Sequence, residues 1–227
     1  MSSKFFIGAL LAAGVTVSGC AANQTDNANW LVNSQERTFV EIPPKFKRYT
    51  VNPYRINKFD RTAERISGIP RNPSNWEVVF DSAKKPSIDN FDADRPTSMV
   101  GQVAVYALKP DWTQTPNFRQ NVNLTALRSY PFARSGNVDP IASFNDGDPG
   151  IEVVSYSETA EKNGIRGIKL RFNQQVGGSD WVTIDQQAFT NRDTTKLYVL
   201  TLKCASTCFK RDYETAKKIS SSFTVQK

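Results

Sequence analysis

The chain has 227 residues, of which 39% are hydrophobic and 22% charged, as is ordinary for a globular protein of one domain, or of a small domain with an elaboration. Its 29 basic and 22 acidic residues give a net charge of +7, which favours acidic or anionic partners where the excess is localised. The sequence contains no histidine, which excludes Ser-His-Asp and Cys-His catalysis and removes the commonest metal ligand.

The first 19 residues have the profile of a secretory signal peptide. Lys4 supplies a positive start, and an apolar run from Phe5 to Val17 follows it. This run is about 13 residues long, shorter than the roughly 20 that a membrane-spanning helix needs. We therefore expect residues 1–19 to be a signal peptide and not a permanent transmembrane helix.

Val17-Ser18-Gly19-Cys20 resembles the lipobox of bacterial lipoproteins, in which an apolar residue and two small ones precede the acylated cysteine. The resemblance implies cleavage before Cys20 and attachment to a membrane through palmitate and other acyl chains on this residue. Ala21 after the cysteine implies the periplasmic face of the outer membrane in a cell with two membranes. The alternative is a chance cysteine at an ordinary secretory cleavage site.

Residues 20–35 are rich in asparagine, glutamine and small polar residues, a composition that predicts a flexible tether. Trp30 and Leu31 are apolar, and the alternative is that they dock on the domain. Beyond the tether we expect a single domain over residues 36–227.

Three short runs before residue 110 are predicted strands, because each is apolar and rich in β-branched or aromatic residues: Arg37–Ile42, Trp76–Phe80 and Met99–Leu108. Pro43 and Pro44 end the first of them.

The basic excess is concentrated between Lys45 and Arg71, where Asp60 and Glu64 are the only acidic residues. Such a segment favours contact with anionic lipid headgroups, an acidic polymer or an acidic protein partner. The alternative is a solvated, charge-rich loop and helix. Nucleic acid is not expected, because a lipid-anchored envelope protein rarely meets it. The predicted surface comprises Lys45, Lys47, Arg48, Arg55, Lys58, Arg61, Arg65 and Arg71.

The middle of the chain, residues 81–150, has no clear pattern and is expected to elaborate the fold. Asn145–Gly150 contains carboxylates that calcium could use, but it lacks the spacing of an EF-hand loop and predicts a tight turn. Ser82 and Lys85 match the Ser-x-x-Lys motif of penicillin-binding enzymes without its companion motifs, so we attribute the match to chance. We expect no metal site and no cofactor.

From residue 151 the pattern predicts consecutive strands joined by short turns, hence antiparallel pairing. Ile168, Leu170 and Phe172 alternate with polar residues, which indicates one buried and one exposed face. Leu197–Leu202 is almost wholly apolar and predicts a central strand. The four predicted strands are Ile151–Thr159, Gly164–Asn173, Trp181–Thr190 and Lys196–Cys204.

Cys204 and Cys208 lie where the last of these strands ends and a helical pattern begins. In an oxidising compartment they would most simply form a disulfide, since the CxxC spacing of redox pairs and the further ligands of a metal site are both missing. The apolar residues of the following helix recur at spacings of four, three and four, which predicts one amphipathic helix covering the sheet. These residues are Phe209, Tyr213, Ala216 and Ser220.

Residues 151–227 resemble the end of a PsbP-like domain, the α+β fold of the photosystem II extrinsic subunit P. The resemblance lies in the hairpin that leads into Gly167–Phe172, in the strand Lys196–Thr201, and in a closing helix that includes Ala216 and Ile219. Arg37–Pro43 would match the opening strand of that family. These are packing residues, so the resemblance implies a fold and carries over no functional residues.

The sequence thus predicts an α+β fold, an antiparallel β-sheet flanked by helices, with an elaborated middle region. The predicted function is that of a lipid-anchored envelope accessory protein, not an enzyme, that binds a protein or another envelope component. The first alternative is a periplasmic carrier of a small ligand or lipid, which would need a deep apolar cavity. A carboxylate-based enzyme, which would need two or three converging acids, is the last alternative.

Overall fold

The computed structural model describes residues 29–51, 74–107, 150–193 and 195–226. Within these ranges, no helix is long and apolar enough to cross a membrane. The strands are β1 (Trp30–Asn33), β2 (Thr38–Glu41), β3 (Lys47–Thr50), β4 (Ser74–Asp81), β5 (Val100–Ala107), β6 (Ile151–Lys162), β7 (Ile165–Gln175), β8 (Trp181–Asn191), β9 (Lys196–Ala205) and β10 (Thr224–Val225). The helices are α1 (Ser206–Arg211) and α2 (Tyr213–Ser222), and a 3-10 turn spans Ile88–Phe91.

Seven of the strands form one antiparallel sheet in the order β3-β4-β5-β9-β8-β7-β6. The predicted strands are all present, with ends that differ by a few residues. β9 lies in the middle of the order, and its side chains from Leu197 to Ala205 are buried, so the predicted central position is confirmed. Burial on both faces explains why this strand is apolar along nearly its whole length.

The β6–β7 hairpin also agrees with its sequence pattern. Ile168, Leu170 and Phe172 are at most 1% exposed, whereas Lys169 between them is exposed. The hairpin turns at Asn163 and Gly164, whose φ angles of 53° and 76° are the positive values that a two-residue hairpin favours. β6 forms one edge of the sheet, and its pairing with β7 is irregular after Val153 and after Thr159.

A second, three-stranded sheet has the order β1-β2-β10. It corrects the predicted tether, because β1 lies within residues 20–35 and pairs with β2 from Trp30↔Glu41 to Asn33↔Thr38. Leu31 is 2% exposed, so burial of an apolar side chain and a ladder of backbone bonds outweigh the polar composition around it. The alternative of docking was correct for Leu31, whereas Trp30 joins the same strand with its side chain 37% exposed. Residues 20–28 lie outside the described ranges.

The small sheet and the two helices cover one face of the large sheet. Leu31 and Val40 of the small sheet share a core with Phe80 of β4, Leu202 of β9 and Ile219 of α2. Phe223 follows α2 and packs on Phe189 with ring centroids 5.6 Å apart. The opposite face carries a second apolar cluster built on β6, β7, β8 and β9.

The C-terminal helix is shorter and less regular than predicted. Asp212, with φ −100° and ψ 18°, interrupts the helical geometry and divides the segment into α1 and α2. Backbone bonds still cross the break, from Asp212 N to Cys208 O at 2.9 Å and from Ala216 N to Asp212 O at 3.0 Å. The α+β class is therefore confirmed in coarse form, but the described residues are mostly sheet, and the flanking helices are a smaller part than expected.

Candidate functional site

Three of the eight basic residues in the predicted contact surface lie within the described ranges, and they are not equivalent. Lys47 is exposed at the start of β3. Lys45 reaches across to the C-terminal helices, with its Nζ 3.8 Å from an Asp212 carboxylate oxygen and 3.5 Å from Thr215 Oγ1. The other five lie outside the described residues: Arg55, Lys58, Arg61, Arg65 and Arg71.

Arg48 differs from Lys47, because its guanidinium is hydrogen-bonded within the fold. Nη1 donates to the Trp30 carbonyl at 3.3 Å and Nη2 to the Ile42 carbonyl at 2.9 Å. These two bonds join β3 to the first residue of β1 and to the residue that follows β2, at the open end of the β1–β2 hairpin. Reversing its charge would remove these bonds as well as a surface cation, so Arg48 is a poor site for testing a partner contact.

The fold brings residues 45–48 beside the basic side of the C-terminal helices. The sequence analysis treated these two parts of the chain as separate features. Lys218 of α2 forms an ion pair with Glu41 at 2.8 Å, and Glu41 is the cross-strand partner of Trp30. Arg211 pairs with Asp212 at 2.7 Å. We name this region the tether-exit surface and define it as Trp30, Lys45, Arg48, Arg211 and Lys218. Lys47 belongs to the other face of the sheet, because it pairs with Asp81 whereas Arg48 pairs with Phe80 of the core.

At the other end of the β1–β2 hairpin, an open groove of about 490 Å³ lies beside the connecting turn. Glu36 of this turn is 7% exposed, and its Oε2 accepts a hydrogen bond from Lys196 Nζ at 2.6 Å. This hydrogen bond raises the pKa of Lys196 above its usual value, against the opposing effect of burial. Burial raises the pKa of the neighbouring Tyr198 phenol.

A second open groove, of about 560 Å³, adjoins the first and shares Asn163, Ile165 and Gln226 with it. Its floor includes Phe189 and Phe223. Together the two form what we call the turn-end groove, with exposed Arg37 and Lys162 among the lining residues. β10 lies along it as an edge strand of the small sheet. Sequence reasoning missed this groove, because its walls come from both ends of the chain.

Arg171 of β7 is held between two aromatic rings of the C-terminal helices. Its guanidinium lies 5.5 Å from the centroid of Phe209 and 5.1 Å from that of Tyr213. Its Nη2 donates to Asp185 Oδ2 at 2.7 Å, and the same oxygen accepts from Ser220 Oγ at 3.1 Å. Burial alone would lower the pKa of Arg171, but Asp185 and Tyr213 raise it. The cluster fixes the helices on the sheet.

A buried polar row crosses the opposite face of the large sheet. Gln102 Nε2 donates to Glu77 Oε1 at 2.6 Å, and Gln186 Nε2 donates to Thr201 Oγ1 at 3.1 Å. Gln102 and Thr201 are cross-strand partners, as are Thr201 and Gln186. Within the described part of the chain, Gln186 Oε1 is buried and accepts no hydrogen bond. Strand periodicity gave no signal for this row.

The predicted disulfide is present between Cys204 and Cys208, with Cα atoms 5.9 Å apart.

Ser82 Oγ donates to the Met99 carbonyl at 2.9 Å, which is a structural role for the serine of the Ser-x-x-Lys match. Cys20 and residues 145–149 lie outside the described ranges. Inside those ranges, no group of three or more cysteine, aspartate or glutamate residues could hold a metal ion.

No protein-family model and no curated protein matches the chain. Solved structures that are similar to it include the following three. A solution structure of cyanobacterial PsbP (CyanoP) from Synechocystis sp. PCC 6803 has 15% identity and a TM-score of 0.45, covering 90% of this chain and 97% of that one. A Pseudomonas aeruginosa protein of unknown function has 9% identity and a TM-score of 0.39, covering 87% and 96%.

The third is LpqN of Mycobacterium tuberculosis, described as involved in cell envelope biogenesis, with 12% identity and a TM-score of 0.39, covering 84% of this chain and 83% of that one. Because all three TM-scores are below 0.5, the similarities assign neither family nor function, and membership of the PsbP-like domains stays a prediction.

Proposed function

We propose that the chain is a lipid-anchored, non-catalytic accessory protein of the cell envelope that holds a segment of a protein partner in the turn-end groove. Position is the observation that carries the proposal. The groove lies beside the turn that follows β1, whereas the tether enters at Trp30, the other end of that strand. A domain attached through Cys20 therefore presents the groove away from its point of attachment, on the periplasmic face of the outer membrane if the cell has two membranes.

The chemistry of the groove favours an extended partner segment with apolar and acidic side chains. Phe189, Phe223 and the half-buried Val225 offer apolar surface, and Arg37 and Lys162 add positive charge at the rim. The edge strand β10 could also pair with such a segment through its backbone.

Neither groove is the deep apolar cavity that the carrier hypothesis needs, because both are open to solvent and lined by polar as well as apolar side chains. An accessory role therefore fits the described surface better than transport of a lipid.

Site-specific photocrosslinking in the native envelope tests the proposal. A photoreactive residue at Lys162, on the groove, should yield one defined adduct, whereas the same residue at Lys169, exposed on β7 outside the groove, should not. Val225→Glu should abolish the Lys162 adduct, because it places a charge on the apolar floor. The same adducts from both positions, or an adduct that persists in Val225→Glu, would exclude the groove as the partner site.

A further inference from the structure

We infer that the tether-exit surface rests on anionic lipid headgroups of the membrane that holds the anchor. The inference relies on the proposed lipidation of Cys20 and adds a second, noncovalent contact between the domain and the membrane. Its occupant is the headgroup layer itself and not a protein partner.

The tether is short. The first described strand begins at Trp30, with nine residues between it and Cys20, whereas the sequence pattern predicted a stalk up to residue 35. Even fully extended, this stretch spans at most about 35 Å. The end of the domain at which β1 begins is thus confined close to the headgroups. Confinement raises the effective concentration of this surface at the membrane, so that even a weak contact is formed most of the time.

The side chains at this end suit the interface. Trp30 is 37% exposed, and its amphipathic ring is of the type that concentrates at the headgroup level of membranes. The Arg48 guanidinium, bound to the Trp30 carbonyl, places a positive charge next to it. The tryptophan is therefore held at a fixed position on the sheet and does not trail on the tether.

The charge of the surface is complementary to anionic lipid. Four basic side chains belong to it, and the neighbouring carboxylates, Glu41 and Asp212, are each engaged by one or two of those cations. Lys45, Arg211 and Lys218 keep roughly half or more of their side chains exposed despite these pairs. Attraction between basic residues and anionic headgroups acts within about 10 Å, and the nine linking residues let this end of the domain reach that distance and return to it often.

Fluorescence quenching by brominated lipids measures the contact directly. The lipidated full-length protein is reconstituted in vesicles of phosphatidylcholine alone or with phosphatidylglycerol, brominated near the headgroup. The Trp30 signal is obtained as the difference between wild type and Trp30→Phe, since Trp76, Trp112 and Trp181 also fluoresce. We expect the Trp30 component to be quenched at least three-fold more strongly in the anionic vesicles, and 0.5 M salt to remove the difference.

Charge reversal supplies the matched control. Arg211→Glu with Lys218→Glu should abolish the anionic preference, whereas Lys162→Glu with Lys169→Glu, an equal charge change away from the surface, should retain it. Arg211→Gln with Lys218→Gln, milder for the Asp212 and Glu41 pairs, should reduce the preference, and circular dichroism would verify that each variant is folded. Equal quenching in both vesicles, or equal loss in both double reversals, would overturn the inference.

Failure of the anchor gives a different result. If Cys20 is not acylated, the protein does not float with phosphatidylcholine vesicles and its intact mass lacks the acyl chains. If the anchor is present and the surface is not used, the protein floats with both vesicle types without differential quenching. Adducts from the groove report on the partner independently of both outcomes.

Discussion

At the scale of single residues, Arg171 shows how a surface-strand cation becomes part of the packing. The sequence pattern identifies it as a polar residue alternating with Leu170 and Phe172, on the face opposite to theirs. The structure places on that face the rings of Phe209 and Tyr213, and Asp185 supplies a carboxylate. A planar guanidinium can stack and form a directed ion pair at once, which a lysine ammonium cannot.

We predict that Arg171→Met lowers the free energy of unfolding by about 2 kcal/mol. The substitution removes a charge-assisted hydrogen bond and two stacking contacts, and it leaves the buried Asp185 carboxylate without its cation. Arg171→Lys should recover a minor part of the loss. Lys169→Met, on the same strand and exposed, should change stability by less than about 0.5 kcal/mol. Urea denaturation of the three variants measures this, and equal effects of the two methionine variants would contradict the role assigned to Arg171.

Residue-scale prediction from the sequence succeeded for a partner close in the chain and did not find contacts with residues distant in the chain. Cys204 and Cys208 are four residues apart, and their pairing was predicted correctly. The hydrogen bonds from Arg48 to the carbonyls of Trp30 in β1 and of Ile42, just after β2, were not predicted, because no local pattern indicates that these residues meet β3. Composition alone cannot distinguish a basic side chain that is available to bind another molecule from one that is hydrogen-bonded to the backbone of its own chain.

At the scale of elements, the junction between β9 and α1 depends on its disulfide. α1 has six residues and no side-chain cap at its first turn, so its own helical bonds stabilise it little. Both cysteines are at most 2% exposed and belong to the core shared by the small sheet, the helices and β9. The covalent link holds the chain in the reversal that sets α1 and α2 on the sheet.

Removing this link should cost about 2 kcal/mol, the loop-entropy value for a closed loop of so few residues. We expect Cys204→Ala with Cys208→Ala to lower the denaturation midpoint accordingly. Wild type should shift by a similar amount when a reductant is added, and the double variant should not respond to it. A reductant shift of the same size in the double variant would assign the effect to another cause.

Prediction of elements was best where periodicity is strong and the strand partners are neighbours in sequence. β7 alternates between apolar and polar residues because one of its faces is buried, and β9 is apolar along its length because both of its faces are buried. Both strands were predicted from these patterns. β1 and β3 were missed, since β1 lies in a polar stretch and β3 in a basic one. Four residues of strand give too short a pattern, and long-range pairing decides their conformation.

At the scale of the whole molecule, the small sheet is joined to the large one by an ion pair between residues 160 positions apart. Lys196 at the start of β9 binds Glu36 in the turn after β1, beside the phenol of Tyr198. The pKa values of Lys196 and Tyr198 are both raised in the folded protein. The folded state therefore holds these protons more tightly than the unfolded chain does.

This difference fixes the sign of a pH dependence. The stabilisation is complete below the unfolded pKa values of about 10.0 for Tyr198 and 10.5 for Lys196, and it is lost as pH rises through the folded values. We expect the free energy of unfolding to fall as the pH rises above about 10, and to fall less steeply in Tyr198→Phe. Denaturant titrations at these pH values provide the check, and an unchanged slope in the variant would show that Tyr198 is not involved.

The edge strand β6 has a consequence for how copies of this protein behave when they are crowded. It is twelve residues long, and a straight edge of that length would be a template on which a second copy could extend the sheet, the first step towards fibres. The irregular pairing after Val153 and after Thr159 breaks the repeat of its outward backbone groups, and Glu152 and Glu158 place like charges along it. We therefore expect β6 to be an exposed edge strand that does not pair with the edge of a second copy at high protein concentration.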